Sequence, residues 1–438
     1  MQTKYSYKKA FKWLLVYLLL ALVPMLIAIA GIMPESRGFI MELGVAFGFI
    51  GLGMLGAQFL FSGRFKSVAP DYGMDNILQL HREMGIIAFL FVFFHPTLIL
   101  LADSSFWSYF DPRVNLPRSV ALISVSIALV VLLASSLWRL TFGLSYERWR
   151  LLHGVLSVGV LFIGVVHSVQ VSHYLAAVWQ QVLLVVVFAG LGYLVVHTRL
   201  VRPWRSKAKP WKIVRVTPER DDCWTLHLEP CGHNGMTFEC GQFVWITIGA
   251  TPFSLQQHPF SIASASDDDG LLITAKATGD FTSSWENIGP GTRAYLEGPF
   301  GSFTPVEGKN LFLVMGGIGI TPAMSMLRTM AQREDKRRAI LIYANPDWEA
   351  VTFREELDEL AGKIDLKLVH VLQETHADWK GETGLIDKEL LKRHLPENPG
   401  DYCYYLCGPE PMMDVAELGL RGLGVDWRSV YSERFEVI

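Results

Sequence analysis

HREMGIIAFLFVFFHP, residues 81–96, is an apolar run that opens on one histidine, His81, and closes near a second, His95. In an α-helix fourteen residues rise about 21 Å and turn about 1400°, roughly 40° short of four full turns, so both rings lie on one face. That rise carries them toward opposite sides of a hydrocarbon layer about 30 Å thick. The spacing recurs in RLLHGVLSVGVLFIGVVHS, which holds His153 and His167. A single intramembrane histidine is explained by a hydrogen bond inside a bundle. Two pairs at equal spacing are not, because ionisable residues at membrane depth are costly and mark functional positions.

The surrounding chain predicts a membrane domain. Hydrophobic residues make up 51% of the 438 positions, mean hydropathy is +0.29, and the long apolar runs fall in the first 200 residues. Six runs of about 20 residues, each long enough to span, lie near 13–31, 40–61, 82–101, 118–138, 151–171 and 176–197. Lys4, Lys8, Lys9, Lys12, Arg64, Lys66, Arg139, Arg148, Arg150, Arg199, Arg202, Arg205, Lys207 and Lys209 border one side, against Arg37, Arg113 and Arg118 on the other. The positive-inside rule then puts both termini in the cytoplasm. Ala28-Ile29-Ala30 resembles a small-residue cleavage site, but the preceding apolar stretch is longer than a signal-peptide core, which favours a retained helix.

Helices three and five are both odd-numbered and run the same way. His81 therefore faces His153 at the cytoplasmic level, and His95 faces His167 at the outer level. Two facing imidazoles supply both axial ligands of a haem iron, so the pairs predict two haems stacked across the membrane. His173 and His197 have no partner at matching spacing and are expected at the interfaces. A metal-transport path, the competing reading, would be strengthened by intramembrane carboxylates, and the six spans contain only Glu42 and Glu83, both near ends.

From about residue 210 short alternating stretches such as KIVRVTP, CWTLHLEP, QFVWITIG and LLITAKAT predict an antiparallel β-barrel or sandwich. From about 309 apolar strands alternate with helical segments, the pattern of a parallel sheet covered on both faces. The expected domains are 1–205, 209–305 and 306–438. Thr352 and Glu355 have capping-box spacing, and Pro322 suits the first position of a helix. All five cysteines follow the membrane region, where a cytoplasmic setting keeps them reduced. The net charge of -3, with basic residues at the membrane edges, points away from nucleic acid as a partner and toward membrane lipid.

Four sets of residues carry the chemistry of the second half. His258-Pro259-Phe260-Ser261 ends one strand, and Thr278-Gly279-Asp280-Phe281-Thr282 follows another. An aromatic can cover a flavin ring, a hydroxyl can bond its edge, and glycine admits a pyrophosphate to backbone N–H groups. Each tetrapeptide is also a common hairpin end. Gly316-Gly317-Ile318-Gly319-Ile320-Thr321-Pro322 joins a strand to a helix, where glycines let phosphate reach a helix N-terminus. Cys407-Gly408-Pro409 closes a later strand at the same carboxyl edge, where open parallel sheets bind ligands.

These motifs, with GPFG at 298–301 and CGPEPMM, occur in the order of the ferric reductase and NADPH oxidase superfamily, which the chain resembles along nearly its whole length. The resemblance implies a six-helix bis-haem membrane domain of bacterial type, set in the inner membrane, joined to a dehydrogenase resembling ferredoxin-NADP reductases. It implies that His81, His95, His153 and His167 bind two b-type haems. FAD would be held by His258, Pro259, Phe260, Ser261 and Thr278, Gly279, Asp280, Phe281 and Thr282. Gly316, Gly317, Gly319, Thr321 and Pro322 would take NADPH or NADH, with Cys407, Gly408 and Pro409 near its ring. Phe260, Ser261, Cys407 and the near-terminal Phe435 would stand closest to the reacting rings.

The acceptor is O2 or a ferric chelate, reduced on the outer face beside Asp103, Asp111, Arg113 and Arg118, with no protein partner required. Asp347 and Glu349 stand where NADPH users often place Arg or Ser, which favours NADH, and Arg354 is expected to lie too far along its helix to rescue NADPH binding. A haem relay or sensor without its own acceptor is the alternative.

Overall fold

The computed structural model describes residues 7–61, 63, 74–375 and 378–434; Phe435 lies outside them. It divides into two compact units, one formed by the membrane-type helices and one from Arg202 onward.

Among the described residues, six helices are long and apolar enough to cross a membrane. They are α1 (Tyr7–Ile29), α2 (Phe39–Phe61), α3 (Met74–Ala102), α4 (Leu116–Leu137), α5 (Tyr146–Val171) and α6 (Val178–Val196). Asn115 caps α4 through Arg118 N–H, and Ser145 caps α5 through Arg148 N–H. Two starts precede the apolar runs. Helix α3 begins at Met74, ahead of the expected 82, and α5 at Tyr146, ahead of 151. The extra turns are polar: Gln79 donates to Glu83 one turn on, at 3.0 Å, so hydropathy marks where the helix is apolar and misses where it is merely helical.

Small residues set the packing of this bundle, since lipid leaves no hydrophobic drive to join helices. A Cβ on Gly53 would fall 2.2 Å from the Ala21 carbonyl oxygen of α1, and one on Gly56 would fall 2.8 Å from the Phe188 ring of α6. Gly44, Gly48 and Gly51 line the side of α2 that faces α3. Gln180 of α6 is 2% exposed and donates to the Ile27 and Ala28 carbonyls at 2.7 and 3.1 Å, taking up acceptors orphaned at the end of α1.

After α6 a π-turn at His197–Val201 leads into the short helix α7 (Arg202–Ser206). The antiparallel sheet follows: β1 (Trp211–Pro218), β2 (Cys223–Pro230), β3 (Phe243–Ile248), β4 (His258–Ser261), β5 (Leu271–Lys276) and β6 (Arg293–Phe300), in spatial order β4-β3-β6-β1-β2-β5. Its edges meet at an Ile262–Ile273 bridge, with Ala263 N–H donating to Leu272 at 2.8 Å, which closes the sheet on itself as the strand pattern predicts. Ile213, Leu226, Ile246 and Ile273 fill it with the fully buried Trp285. Between β5 and β6 lies the one-turn helix α8 (Asp280–Ser283).

The parallel sheet has order β10-β9-β8-β7-β11-β12, from β7 (Asn310–Gly316), β8 (Ala339–Asn345), β9 (Leu366–Leu372), β10 (Glu382–Thr383), β11 (Tyr402–Cys407) and β12 (Val430–Glu433). Helices α9 (Thr321–Gln332) and α10 (Arg354–Ala361) cover one face through Met324, Leu327, Leu357 and Leu360. Helices α11 (Lys388–His394) and α12 (Glu410–Gly422) cover the other through Leu390, Met413 and Leu420. Central strands are buried on both sides, which is why they read as continuous apolar runs. Pro322 sits in the first turn of α9 as expected. The capping box expected at Thr352 and Glu355 does not form. Phe353, left-handed at φ 61°, precedes α10, Thr352 donates to the Arg220 carbonyl, and Glu355 pairs with Arg220 at 2.6 Å. Tertiary partners have taken both side chains.

Candidate functional site

Helices α3 and α5 bring the four histidines together in the predicted pairs. The His81 and His153 ring centres are 6.1 Å apart, and those of His95 and His167 are 6.2 Å apart. A metal bonded to two facing imidazoles at about 2.0–2.1 Å, with each ring centre about 1.1 Å beyond its nitrogen, would hold the centres roughly 6.3 Å apart. The interplanar angles of 62° and 72° are compatible, since rings may rotate freely about a common ligand axis. The pairs therefore fit one metal each.

The nitrogens behind the rings are also ordered. His95 Nδ1 lies 2.8 Å from the Gly44 carbonyl oxygen, which only accepts, so Nδ1 carries the proton and Nε2 is left as a lone pair. Gly48 makes this approach possible, because a Cβ there would fall 2.5 Å from that nitrogen. His153 Nδ1 lies 3.2 Å from Ser136 Oγ. The Ser136 hydroxyl donates its proton to the Leu132 carbonyl at 2.7 Å, so its oxygen accepts from Nδ1 and frees Nε2 of His153. Neither Gly44 nor Ser136 is legible from sequence, since each is an ordinary small residue made specific by the neighbouring helix.

On the loop between α3 and α4, Asp103 accepts from Ser105 N–H at 2.8 Å, and Asp111 accepts from the backbone and side chain of Arg113 at 2.9 and 3.1 Å. These bonds hold both carboxyls below the usual carboxylate range. Arg118 lies 3.9 Å over the Tyr109 ring. All four residues named on that loop are thus engaged locally. His173 stacks edge-on to Tyr174, whose hydroxyl donates to Glu42 at 2.6 Å.

In the barrel, β4 and the loop after β5 meet as the two flavin motifs predict. The His258 and Phe281 rings are 4.4 Å apart, and Phe260 stacks on Phe281 at 6.1 Å with 18° between planes. The buried Trp285 backs Phe260 at 5.0 Å. Ser261 is 4% exposed, and its Oγ has no partner among the described residues. A buried hydroxyl without a bond costs about 1–3 kcal/mol, so this one is free to bond a polar group placed beside β4. Thr278 and Gly279 offer their N–H groups toward Thr282 Oγ1 at 3.2 and 3.3 Å, and Asp280 opens α8.

At the carboxyl edge of the parallel sheet, two glycine turns interlock. A Cβ on Gly319 would fall 2.5 Å from the Cys407 carbonyl oxygen, one on Gly316 would fall 2.9 Å from Pro409 Cδ, and one on Gly408 would fall 3.0 Å from Gly316 N. Gly317 is left-handed at φ 50° with open space beside its Cα, and its carbonyl accepts from the Tyr343 hydroxyl at 3.1 Å. The turn is thereby fixed ahead of Thr321 and Pro322, with room for a phosphate at the helix start.

Arg354, expected to lie too far along its helix to rescue NADPH binding, is the first residue of α10. It donates to the Trp348 carbonyl at 3.1 Å, covers the Trp348 ring at 4.6 Å and stands 3.9 Å from Glu349. Glu355 competes for it at 3.3 Å. Sequence also missed Arg328, which joins the barrel to the sheet domain. It donates to the Ala263 carbonyl and, at 2.7 and 2.6 Å, to both oxygens of Glu356.

Comparison with known proteins gives three consecutive matches: residues 47–164 to the family described as a ferric reductase like transmembrane component, 205–302 to an FAD-binding domain, and 313–417 to an oxidoreductase NAD-binding domain. Curated relatives resemble the second half. NADH-cytochrome b5 reductase 1 of Lodderomyces elongisporus is 33% identical over 40% of this chain and 58% of its own length. That of Candida albicans is 32% identical over 41% and 64%. The plasma membrane-associated coenzyme Q6 reductase PGA3 of Saccharomyces cerevisiae is 32% identical over 35% and 51%. The chain thus spans about half to two-thirds of the curated relatives it matches. Among solved structures, the FAD/NAD binding domain of nitric oxide dioxygenase from Vibrio cholerae has a TM-score of 0.47 at 23% identity, over 52% of this chain and 98% of that one.

Proposed function

From the premise that this chain has a ferric reductase/NADPH oxidase-like architecture, with FAD- and NAD-binding domains behind a membrane domain, we propose that it is a transmembrane NAD(P)H oxidoreductase. Its electrons pass from a nicotinamide dinucleotide on the side of the termini, the cytoplasm, to O2 or a ferric chelate on the opposite face. One observation carries this reading: two histidine pairs with ring centres 6.1 and 6.2 Å apart, the separation of bis-imidazole ligation. His81 with His153 and His95 with His167 would hold the irons of two b-type haems. FAD would lie on the β4 motif against Ser261 and Phe260, and the dinucleotide on the Gly316–Gly319 and Cys407–Pro409 turns.

When bound, these cofactors supply the redox chemistry, a two-electron hydride acceptance on one side and one-electron carriage across the membrane. The chain's residues do the rest. Gly44 and Ser136 hold Nδ1–H of their histidines and keep Nε2 unprotonated. With His95 and His167 both engaged in holding a haem, the acceptor would be met beside the loop that carries Asp111 and Arg113. Glu349 and Asp347 repel a 2′-phosphate, and the relatives are named for NADH; NADH is therefore the donor this reading favours.

The test is one cuvette. The purified chain, reconstituted with haem and FAD, is given NADH or NADPH while its haem bands are followed with O2 or a ferric chelate present. Bis-histidine bands that are reduced by NADH and reoxidised by one acceptor are expected. Absence of such bands would overturn the reading. A chain whose bands are reduced but which consumes no dinucleotide at steady state would instead be a relay.

A further inference from the structure

Each histidine pair has one ring whose Nδ1 is held, His95 by Gly44 and His153 by Ser136, and His81 of the inner pair is not so held. His95 gives its Nδ1–H to the Gly44 carbonyl, whereas His81 Nδ1 is buried with no hydrogen-bond partner among the described residues. Two further buried polar groups share that condition. Gln58 of α2 is 8% exposed with neither amide atom partnered, and Tyr17 of α1 is 5% exposed with its hydroxyl unpartnered.

Helix register puts all three at one level. Helices α2 and α3 run antiparallel, with Gly48 against His95 and Gly51 against Val92. Seven residues make about two turns, so Gln58 keeps the face of Gly51 that looks at α3. Seven residues back from Val92 on α3 is Gly85, one turn from His81, and a Cβ on Gly85 would meet nothing within 4 Å. Gln58 follows Gly44 by fourteen residues, as His95 follows His81 by fourteen. Gln58 therefore occupies, at the inner level, the place that Gly44 occupies at the outer one. On the other side Gly53 packs on Ala21, which brings Tyr17 to the level of Gln58, where its ring lies 5.6 Å from that of Phe61.

We propose that Gln58 is the positioning residue of the inner ligand pair: its amide oxygen accepts the Nδ1–H of His81, directly or through one water, and turns His81 Nε2 toward His153. The amide nitrogen is left to donate to Tyr17 Oη. These bonds would give partners to His81 Nδ1, the Gln58 amide and Tyr17 Oη, three groups that are unpartnered among the described residues. In an apolar interior an unmade bond of this kind is costly, and an acceptor behind a ligating imidazole raises its basicity and tunes the metal it holds. The inference rests on the haem reading above.

The sign of a potential shift tests it. In the full-length chain with both haems, Gln58→Leu removes the acceptor, makes His81 a weaker donor to iron and moves the midpoint of one haem upward, leaving the other in place. Gln58→Glu offers a stronger acceptor and moves the same midpoint downward. Repeating the titration in a His95→Leu background, which keeps only the inner pair, identifies the haem that moved. Midpoints that stay put, that shift together, or that shift in one direction for both variants would overturn the proposal. If Gln58→Leu fails to retain two haems, the sign of the Gln58→Glu shift decides alone. An unmodified chain without bis-histidine bands would sink the haem reading and not this assignment in particular.

Discussion

An imidazole ligates through Nε2 only while Nδ1 keeps its proton, so the groups behind a ligand matter as much as the ligand. His95, held by Gly44, and His153, held by Ser136, show this. His95→Leu is expected to halve haem content and abolish reduction of the outer acceptor, while dinucleotide oxidation by an artificial flavin acceptor persists. Haem assay and both activities on one preparation check it, and joint loss of both activities in a folded protein would contradict a stepwise route. Gly319→Ala forces a methyl against the Cys407 carbonyl and should cost about 1–3 kcal/mol of stability. It should also raise the KM for NADH, read from thermal melts and initial rates. The facing histidine pairs and the glycine turns were legible in sequence because spacing and strand context define them. Gly44, Ser136, Tyr343 and Arg328 were not, because a single carbonyl or hydroxyl acquires a role only when another element arrives beside it.

At the scale of elements, α9 follows the Gly316–Gly319 turn and carries the clamp to the barrel. Arg328 joins the Ala263 carbonyl to Glu356, Ser325 donates to the Ser264 carbonyl at 2.7 Å, and Thr329 accepts from Ser266 N–H at 3.0 Å. Arg328→Ala should lower stability by about 1.5–3 kcal/mol, the range for charged hydrogen bonds, and loosen flavin as well as dinucleotide binding; calorimetry and FAD retention measure the two effects. A second clamp runs from Arg220 to α10 and is pH-dependent. Arg220 pulls the Glu355 carboxyl down from 4.5 to about 2. Its folded value is below its unfolded one, so its contribution is full above about pH 4.5 and is lost as pH falls toward 2. The gap in thermal midpoint between the unmodified chain and Glu355→Gln should narrow over that window, and it should shrink with added salt, because the pair is exposed. Element type was readable from hydropathy and alternation. The early start of α3 was not, because Gln79 and Glu83 extend a helix without making it apolar.

For the whole molecule, composition alone separated the membrane helices from the two β-containing domains, and the order of motifs along the chain exposed the architecture. The donor was harder to read, because Arg354 folds back over Trp348 toward Glu349. Glu349→Arg should therefore raise kcat/KM for NADPH relative to NADH, by about tenfold if the new contact contributes about 1.4 kcal/mol; an unchanged ratio would place donor selection elsewhere. No disulfide joins the five cysteines, and four of them, Cys223, Cys240, Cys403 and Cys407, are buried while Cys231 is exposed. The chain thus carries a native single-site label: a maleimide that cannot cross lipid should mark Cys231 in sealed vesicles from only one direction, reporting sidedness without an engineered tag.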